Sequence, residues 1–306
     1  MDRREFIRSL AATAGAAAAS GCVARRGRPA AAGLDVRQAE IDEVTPADYA
    51  AFRRASDEEA LGWKDRFPAL DRYDEAFDRV FDEALGTQVK GPGPAVWYVY
   101  NMGIVVKTRE ALFTVDLQHR QSLRFVPHVD FAMVTHNHDD HYDDSYLQAL
   151  DRAHKTVITN FDDNYGARTT KSGGYTRRPK SFRIKDVGIR TFVTSHNDYL
   201  LDFTMPFEIA VGGYSIFHSG DSAYVKELER TNVRPDLWLV HPYNGLDAVE
   251  GAKALRPKRT CVVHLQEFGH AKDRWRWRYA DGQKAVGRLR EAGFEADMPL
   301  WGERLL

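Results

Sequence analysis

Cysteine is almost missing from this chain: 306 residues contain two, Cys22 and Cys261. So few exclude a disulfide-built scaffold, and none stands where a metal thiolate would be expected. An excess of either charge is also missing. Lys and Arg total 43 against 44 Asp and Glu, for a net charge of -1. Residues 1–21 carry Arg3, Arg4 and Arg8 against Asp2 and Glu5, which leaves the remainder at about -2. A near-neutral chain has no broad field to attract nucleic acid, and none is expected as a partner. Long apolar runs are missing too. The Ala- and Gly-rich Ser9–Gly21 is too short and too weakly apolar for a membrane span. No internal repeat is evident. Removing roughly the first 40 residues leaves about 265, enough for one large domain with a buried core.

Histidine is abundant in one place. Thr-His-Asn-His-Asp-Asp-His at Thr135–His141 puts His136, His138, Asp140 and His141 within six positions. Phe131-Ala132-Met133-Val134 before it has strand character, and Tyr142–Leu150 after it reads as a helix. The ligand-type residues therefore fall on a strand-to-helix loop. Alternate side chains of an extended segment point the same way, so His136 and His138 can share one metal. Asp140 and His141, at the turn into the helix, then face a second.

Three later segments each read as an apolar strand ending in a ligand-type residue. They are Ile189–His196, Tyr214–Asp221 and Thr260–His264. Strand ends on one sheet edge are where a rigid scaffold presents chemical groups. Taken singly, a His at a strand end or an Asp after Ser-Gly is ordinary; their order and type after the first motif carry the reading.

From about Val96 onward the chain resembles the metallo-β-lactamase fold superfamily. It is most similar to the branch with phosphorylated-ascorbate lactonase and N-acyl-phosphatidylethanolamine phospholipase D. The resemblance rests on Phe113–Asp116, the His136–His141 motif, His196, Ser219-Gly220-Asp221 and His264. It implies a four-layer αββα sandwich, where periodicity alone gives a mixed α and β domain. It also implies that His136, His138 and His196 hold one metal, that Asp140, His141 and His264 hold another, and that Asp221 bridges them. Asp116 would be a buried orienter of a ligating imidazole.

Two divalent ions roughly 3.5–4 Å apart can hold a hydroxide at neutral pH and polarise an acyl or phosphoryl oxygen. The expected reaction is hydrolysis of an ester, lactone, amide or phosphodiester, with Asp140 also accepting or relaying a proton. His and carboxylate donors suit zinc first, with iron and manganese as alternatives. His138 stands where the flavodiiron type has Glu, and Asp221 departs from true β-lactamases. Both count against oxygen chemistry and antibiotic hydrolysis. His270 is a candidate leaving-group acid, and Tyr100, Asn101 and His241 are candidate substrate contacts. The alternating Arg274–Tyr279 run can grip an anionic or lipid headgroup, and Phe161–Lys180 reads as a long loop over the site.

Asp2-Arg3-Arg4-Glu5-Phe6-Ile7-Arg8 resembles a twin-arginine export signal, and Ala19-Ser20-Gly21-Cys22 a lipoprotein cleavage box with Ala in place of the usual Leu. The expected partners are the export machinery and a small-molecule or lipid substrate. The expected location is the periplasm or cell envelope, anchored through a lipid on Cys22. Residues 1–21 then form the signal, 22–43 a flexible tether, and 44–306 the domain, with a helical extension at about 46–85. Two alternatives stand beside the hydrolase: a phospholipase D-like phosphodiesterase acting on membrane lipid, and a metal-binding envelope protein without turnover.

Overall fold

The computed structural model describes residues 38–161, 170–171 and 179–306. The export signal, Cys22 and most of Phe161–Lys180 lie outside the described residues.

The chain enters through four helices. After α1 (Gln38–Glu43), α2 (Pro46–Arg54) and α3 (Asp57–Arg66) each open on a capping box, Thr45 with Asp48 and Ser56 with Glu59. Helix α4 (Pro68–Gly86) buries Leu70, Tyr73, Phe77, Val80 and Ala84, a three-to-four spacing that makes one apolar face. The helical expectation for 46–85 agrees with these bounds. The tether boundary does not: α1 buries Ile41 completely, so residues 38–43 belong to the folded body. A single apolar anchor in Gln-Ala-Glu-Ile-Asp-Glu is too little to see in the sequence.

Two sheets follow. The first takes β1 (Ala95–Tyr100), β2 (Gly103–Lys107), β3 (Leu112–Val115), β4 (Phe131–Met133), β5 (Thr156–Thr159) and β6 (Thr170–Lys171) in that order. The second takes β7 (Lys180–Ile184), β8 (Val187–Thr191), β9 (Phe207–Val211), β10 (Tyr214–His218), β11 (Leu237–Val240), β12 (Arg259–Val262) and β13 (Ala296–Asp297). Each sheet is part antiparallel and part parallel: β3 to β6 run parallel, as do β10 to β13.

Strand alternation sorts side chains into layers. Ile216, Leu237, Leu239 and Cys261 join the central core with Val105, Phe113 and Phe131 of the first sheet. Their neighbours Phe217, Trp238, Val240 and Val262 turn outward, into a second cluster with Leu228, Leu255 and Leu289. Those three lie on α6 (Val225–Thr231), α7 (Ala248–Leu255) and α8 (Tyr279–Glu291). Gly251 lets α7 approach, since a Cβ there would lie 2.6 Å from the Trp238 ring. On the other side α4 packs on β1 and β2, and α5 (Asp144–Arg152) on β5. The result is the αββα sandwich. Helix α5 starts two residues later than the expected Tyr142, because Asp143 serves as its cap and accepts a backbone N–H from the first turn; Asp247 caps α7 in the same way.

His119 shows how tightly α4 meets the first sheet. Its ring is fully buried between Tyr73 and Phe77, each 4.1 Å away and nearly parallel. Burial, reinforced by the nearby Arg120 charge, holds its pKa well below the ordinary imidazole value. In the unfolded chain it titrates near 6.5, so below that pH the unfolded state binds a proton that the folded state refuses. Stability conferred by this site should therefore fall as pH drops, by up to about 1.4 kcal/mol per unit. Urea unfolding at pH 7 and pH 5 should show a smaller acid loss in His119→Gln than in the unmodified protein. Equal losses would contradict this account.

Candidate metal centre

The ligand-type residues converge because their strands end at one edge. In the first sheet β1, β3 and β4 run the same way, and in the second β8, β10, β11 and β12 do. Just past their ends lie Asn101, Asp116, His136, His196, Asp221, His241 and His264. Asn101, Asp116 and His264 have positive φ, of 53°, 46° and 62°. Non-glycine residues take that conformation at a cost, and such positions concentrate where side chains must be aimed.

Two groups of donors form. His136, His138 and His196 make one, with His136 Nε2 3.1 Å from His138 Nδ1. Asp140, His141 and His264 make the other, with His264 Nε2 3.1 Å and His141 Nε2 3.5 Å from Asp140 Oδ2. Asp221 lies between them. Its Oδ1 is 3.4 Å from His141 Nε2, and its Oδ2 is 3.3 Å from His196 Nε2 and 3.5 Å from His264 Nε2.

Asp116 aims two of these rings. It accepts the Thr135 backbone N–H and hydroxyl, both at 2.7 Å, and the His141 Nδ1–H at 2.9 Å. The Thr135 hydroxyl, donating to Asp116, is left to accept from His136 Nδ1 at 3.0 Å. Both imidazoles then have Nδ1 engaged and Nε2 facing the centre; burial opposes a charge on His141, but Asp140, Asp221 and the Asp116 bond outweigh it and raise its pKa well above the ordinary value, so a cation binding there would displace a proton.

Charge states suit cation binding. Burial and the neighbouring imidazoles hold His136 well below its ordinary pKa and bring His138 down to about 4, so both are neutral donors at neutral pH. Burial opposes ionisation of Asp140 and Asp221, but the histidines around them outweigh it and keep both carboxyls well below the usual range. His141 Nε2, His264 Nε2 and Asp221 Oδ1 are buried without a hydrogen-bond partner among the described residues. Buried polar atoms are rarely left so, and a cation among them accounts for all three. The donor set fits a divalent metal.

Several sequence expectations change here. Tyr100 is 2% exposed and sits in an aromatic cluster with Tyr73, Phe268 and Trp301, its hydroxyl accepting the Phe268 N–H. It is a core residue and no substrate contact. Asn101 is 1% exposed; its side-chain amide donates to the Asp140 carbonyl at 2.8 Å and carboxylate at 3.2 Å, and its backbone carbonyl accepts the His264 N–H. It orients two ligand-type residues instead of meeting substrate. His241 is 5% exposed, with its ring stacked 3.8 Å from His264 and its Nδ1 3.2 Å from Asp221 Oδ1. His270 is partly exposed, with a ring nitrogen within 4.8 Å of an Asp140 carboxylate oxygen, its ring edge-on to Trp275 at 6.0 Å, and Arg274 over the Trp275 ring at 4.2 Å. Arg276, from the same run, is instead buried.

Sequence reading missed Glu267 and Asn244. Glu267 is 1% exposed, accepts the Gly269 and His270 N–H groups, and lies 2.8 Å from His270 Nδ1. Burial opposes a charge on His270, but this carboxylate outweighs it and raises the His270 pKa. Asn244 donates to the backbone carbonyls of His196 and Asp221, tying two ligand-bearing loops together. Neither carries a sequence signal, because each acts through a partner on another segment or through local backbone.

A two-sheet sandwich with histidines and aspartates gathered at one edge defines a class: the metal-dependent hydrolases of metallo-β-lactamase fold. Residues 97–264 match the beta-lactamase superfamily domain, and the chain belongs to that family. It is 28% identical over 194 residues to a UPF0173 metal-dependent hydrolase of Thermus thermophilus, covering 58% of this chain and 80% of that one. Among solved structures it resembles the metallo hydrolase Igni18 of Ignicoccus hospitalis, with TM-score 0.55 and 16% identity over 70% of this chain and 98% of that one. It also resembles CmlA, a diiron beta-hydroxylase of Streptomyces venezuelae, with TM-score 0.54 and 15% identity over 87% of this chain and 62% of that one. At such identities the structural likenesses speak to the fold alone.

Proposed function

We propose that the protein is an exported, dinuclear metal-dependent hydrolase of an ester, lactone, amide or phosphodiester. The observation that carries this reading is the pair of donor groups, His136/His138/His196 and Asp140/His141/His264, with Asp221 within 3.5 Å of both. Divalent ions held there would lower the pKa of water to near 7 and polarise the scissile group. Asp116 and Asn101 hold the donors in place. Asp140, ionised and partly directed by Asn101, is placed to accept a proton. His270, partly exposed, backed by Glu267 and near Asp140, can give a proton to the leaving group.

One observation favours a lipid phosphodiester over a small lactone. Trp275 is 58% exposed with Arg274 stacked on it beside His270, and Tyr199 and Leu201 stand 95% and 61% exposed on the loop after His196. Exposed apolar side chains on the loops that follow His196 and His270, one of them under a cation, suit an amphiphilic anion.

The test is elemental analysis of metal-loaded protein lacking roughly its first 37 residues, with turnover on lactones and phosphodiesters. About two ions per chain, reduced in His138→Ala together with turnover, are expected. A folded chain that takes up no metal would remove the mechanism. Bound metal without turnover on any hydrolase substrate would favour the binding-protein alternative.

Export and anchoring rest on the Arg3-Arg4 signal and on Cys22. No helix among the described residues is long and apolar enough to cross a membrane. Cys22→Ser should move the protein from the membrane to the soluble fraction of the envelope; unchanged fractionation would count against the anchor.

A further inference from the structure

We infer that the edge carrying the donors docks on a lipid bilayer, with Tyr199, Leu201 and Trp275 entering the headgroup region. This rests on the amphiphile reading above and names the surface from which such a substrate comes.

Two turns leave the second sheet at one edge, because β8, which leads to His196, and β12, which leads to His264, run the same way. Residues 197–201 form a turn closed on His196. The Leu200 carbonyl accepts the His196 N–H at 3.1 Å, and Asn197 Oδ1 accepts the N–H groups of Tyr199 and Leu200. Tyr199 and Leu201 stand exposed on it. The other turn hangs from a closed neck, where the Gln266 N–H donates to the Trp277 carbonyl at 2.8 Å. Trp275 stays beside the centre, since its ring lies 6.0 Å from His270 and a His270 ring nitrogen lies within 4.8 Å of an Asp140 carboxylate oxygen. Its φ is 68°, which a bulky side chain adopts only at a cost. Strain that leaves an indole in water is the reverse of what core packing produces.

Two observations identify what covers these side chains. The first is where the described chain begins. Gln38 exchanges amide hydrogen bonds with Gln266 and accepts the Tyr279 N–H, so the chain enters at the neck of the Trp275 turn. Cys22 lies 16 residues before Gln38, a reach of at most about 55 Å. A lipid on Cys22 would hold a bilayer within range of this face, and at the high local concentration of a tether a weak contact is enough to set the orientation. The second is charge. Along 197–201 and 271–275, Lys272 and Arg274 are matched by Asp198 and Asp273, and the charges cancel. Protein and nucleic-acid partners are steered by a net field. A zwitterionic lipid surface needs none, and Trp and Tyr favour its interface. The metal centre then faces the bilayer, and an amphiphilic substrate reaches it from the lipid.

The experiment sediments phosphatidylcholine vesicles with the metal-loaded chain from residue 22 onward, carrying Cys22→Ser so that no lipid is attached. This protein should bind, with little difference between low and high salt. Adding Tyr199→Ser, Leu201→Ser and Trp275→Ser together should weaken binding by about 10-fold or more, as three apolar side chains no longer leave water, with the melting temperature unchanged. Leu61→Ser, on α3 and 60% exposed, should leave binding unchanged. Binding should also persist in His138→Ala, which separates a surface contact from capture of lipid as substrate. Equal binding by the triple variant, binding abolished by salt, or binding lost in His138→Ala would each overturn the inference. So would absence of binding; self-association removed by the triple variant would then make a second copy of the chain the occupant. Vesicle binding without turnover would remove the hydrolase and keep the docking surface.

Discussion

Asp221→Asn should reduce bound metal from about two ions per chain to about one and lower turnover by more than about 100-fold. The carboxylate is nearly inaccessible and lies between the two donor groups, its oxygens 3.3–3.5 Å from nitrogens of His141, His196 and His264. Asparagine keeps the shape but replaces one ligating oxygen with an NH2 group that cannot bind a cation. It also removes the negative charge that offsets two divalent ions in a buried site. Outer partners of metal ligands typically cost 10–100-fold when lost, so a residue shared by both positions should exceed that range. Elemental analysis and steady-state rates on the same preparation check it. Two ions retained with near-normal turnover would show that the halves of the site do not depend on a shared carboxylate.

The second large effect is expected at Arg276, which acts through backbone and not through a ligand-type side chain. Its guanidinium is buried and donates to five backbone carbonyls: Ile41 and Val44 through Nη1, Glu267 and His270 through Nε, and Phe268 through Nη2, at 2.8–3.0 Å. Two of these belong to the N-terminal segment and three to the loop between His264 and His270. One side chain thus fastens α1 to the loop that carries Glu267 and His270. Gln38 and Gln266 add reciprocal amide hydrogen bonds across the same junction. Arg276→Met would leave four carbonyls without a donor in a region that admits little water, since Ile41 also accepts the Val44 N–H. Unsatisfied buried groups cost about 1–3 kcal/mol each, moderated by relaxation, so a loss of about 4 kcal/mol is expected. For a domain of this size that lowers Tm by roughly 10 °C. Lysine keeps the charge but not the planar fork, and Arg276→Lys should recover only part. Thermal unfolding of the metal-free forms measures this without interference from metal binding. A shift of less than about 2 °C in Arg276→Met would show that the junction is held by other contacts.

The same residue shows where sequence reading reaches its limit. Arg274-Trp275-Arg276-Trp277-Arg278 alternates regularly, and alternation suggests one uniform face. In the fold Trp275 is exposed with Arg274 over its ring, while Arg276 points inward to carbonyls, two of them more than 230 residues away. Tyr100-Asn101 has the same history. An aromatic residue and an amide beside a turn resemble a substrate contact, yet Tyr100 completes an aromatic core and Asn101 braces Asp140, 39 residues on.

The donor types were legible because metal chemistry restricts them to a few residues, and because the His136–His141 cluster packs four into one loop. The layered fold was legible through the family resemblance, and afterwards visible in residues such as Leu237, Trp238, Leu239 and Val240, which divide between the two cores. Which atoms the donors present, and what holds them, was not legible. Those properties depend on Asp116 meeting both Thr135 and His141, on Glu267 folding back under His270, and on β11 carrying His241 between Asp221 and His264. Ligand identity is a property of single residues and survives in a linear string. Ligand aim, charge state and support arise between segments that only packing brings together.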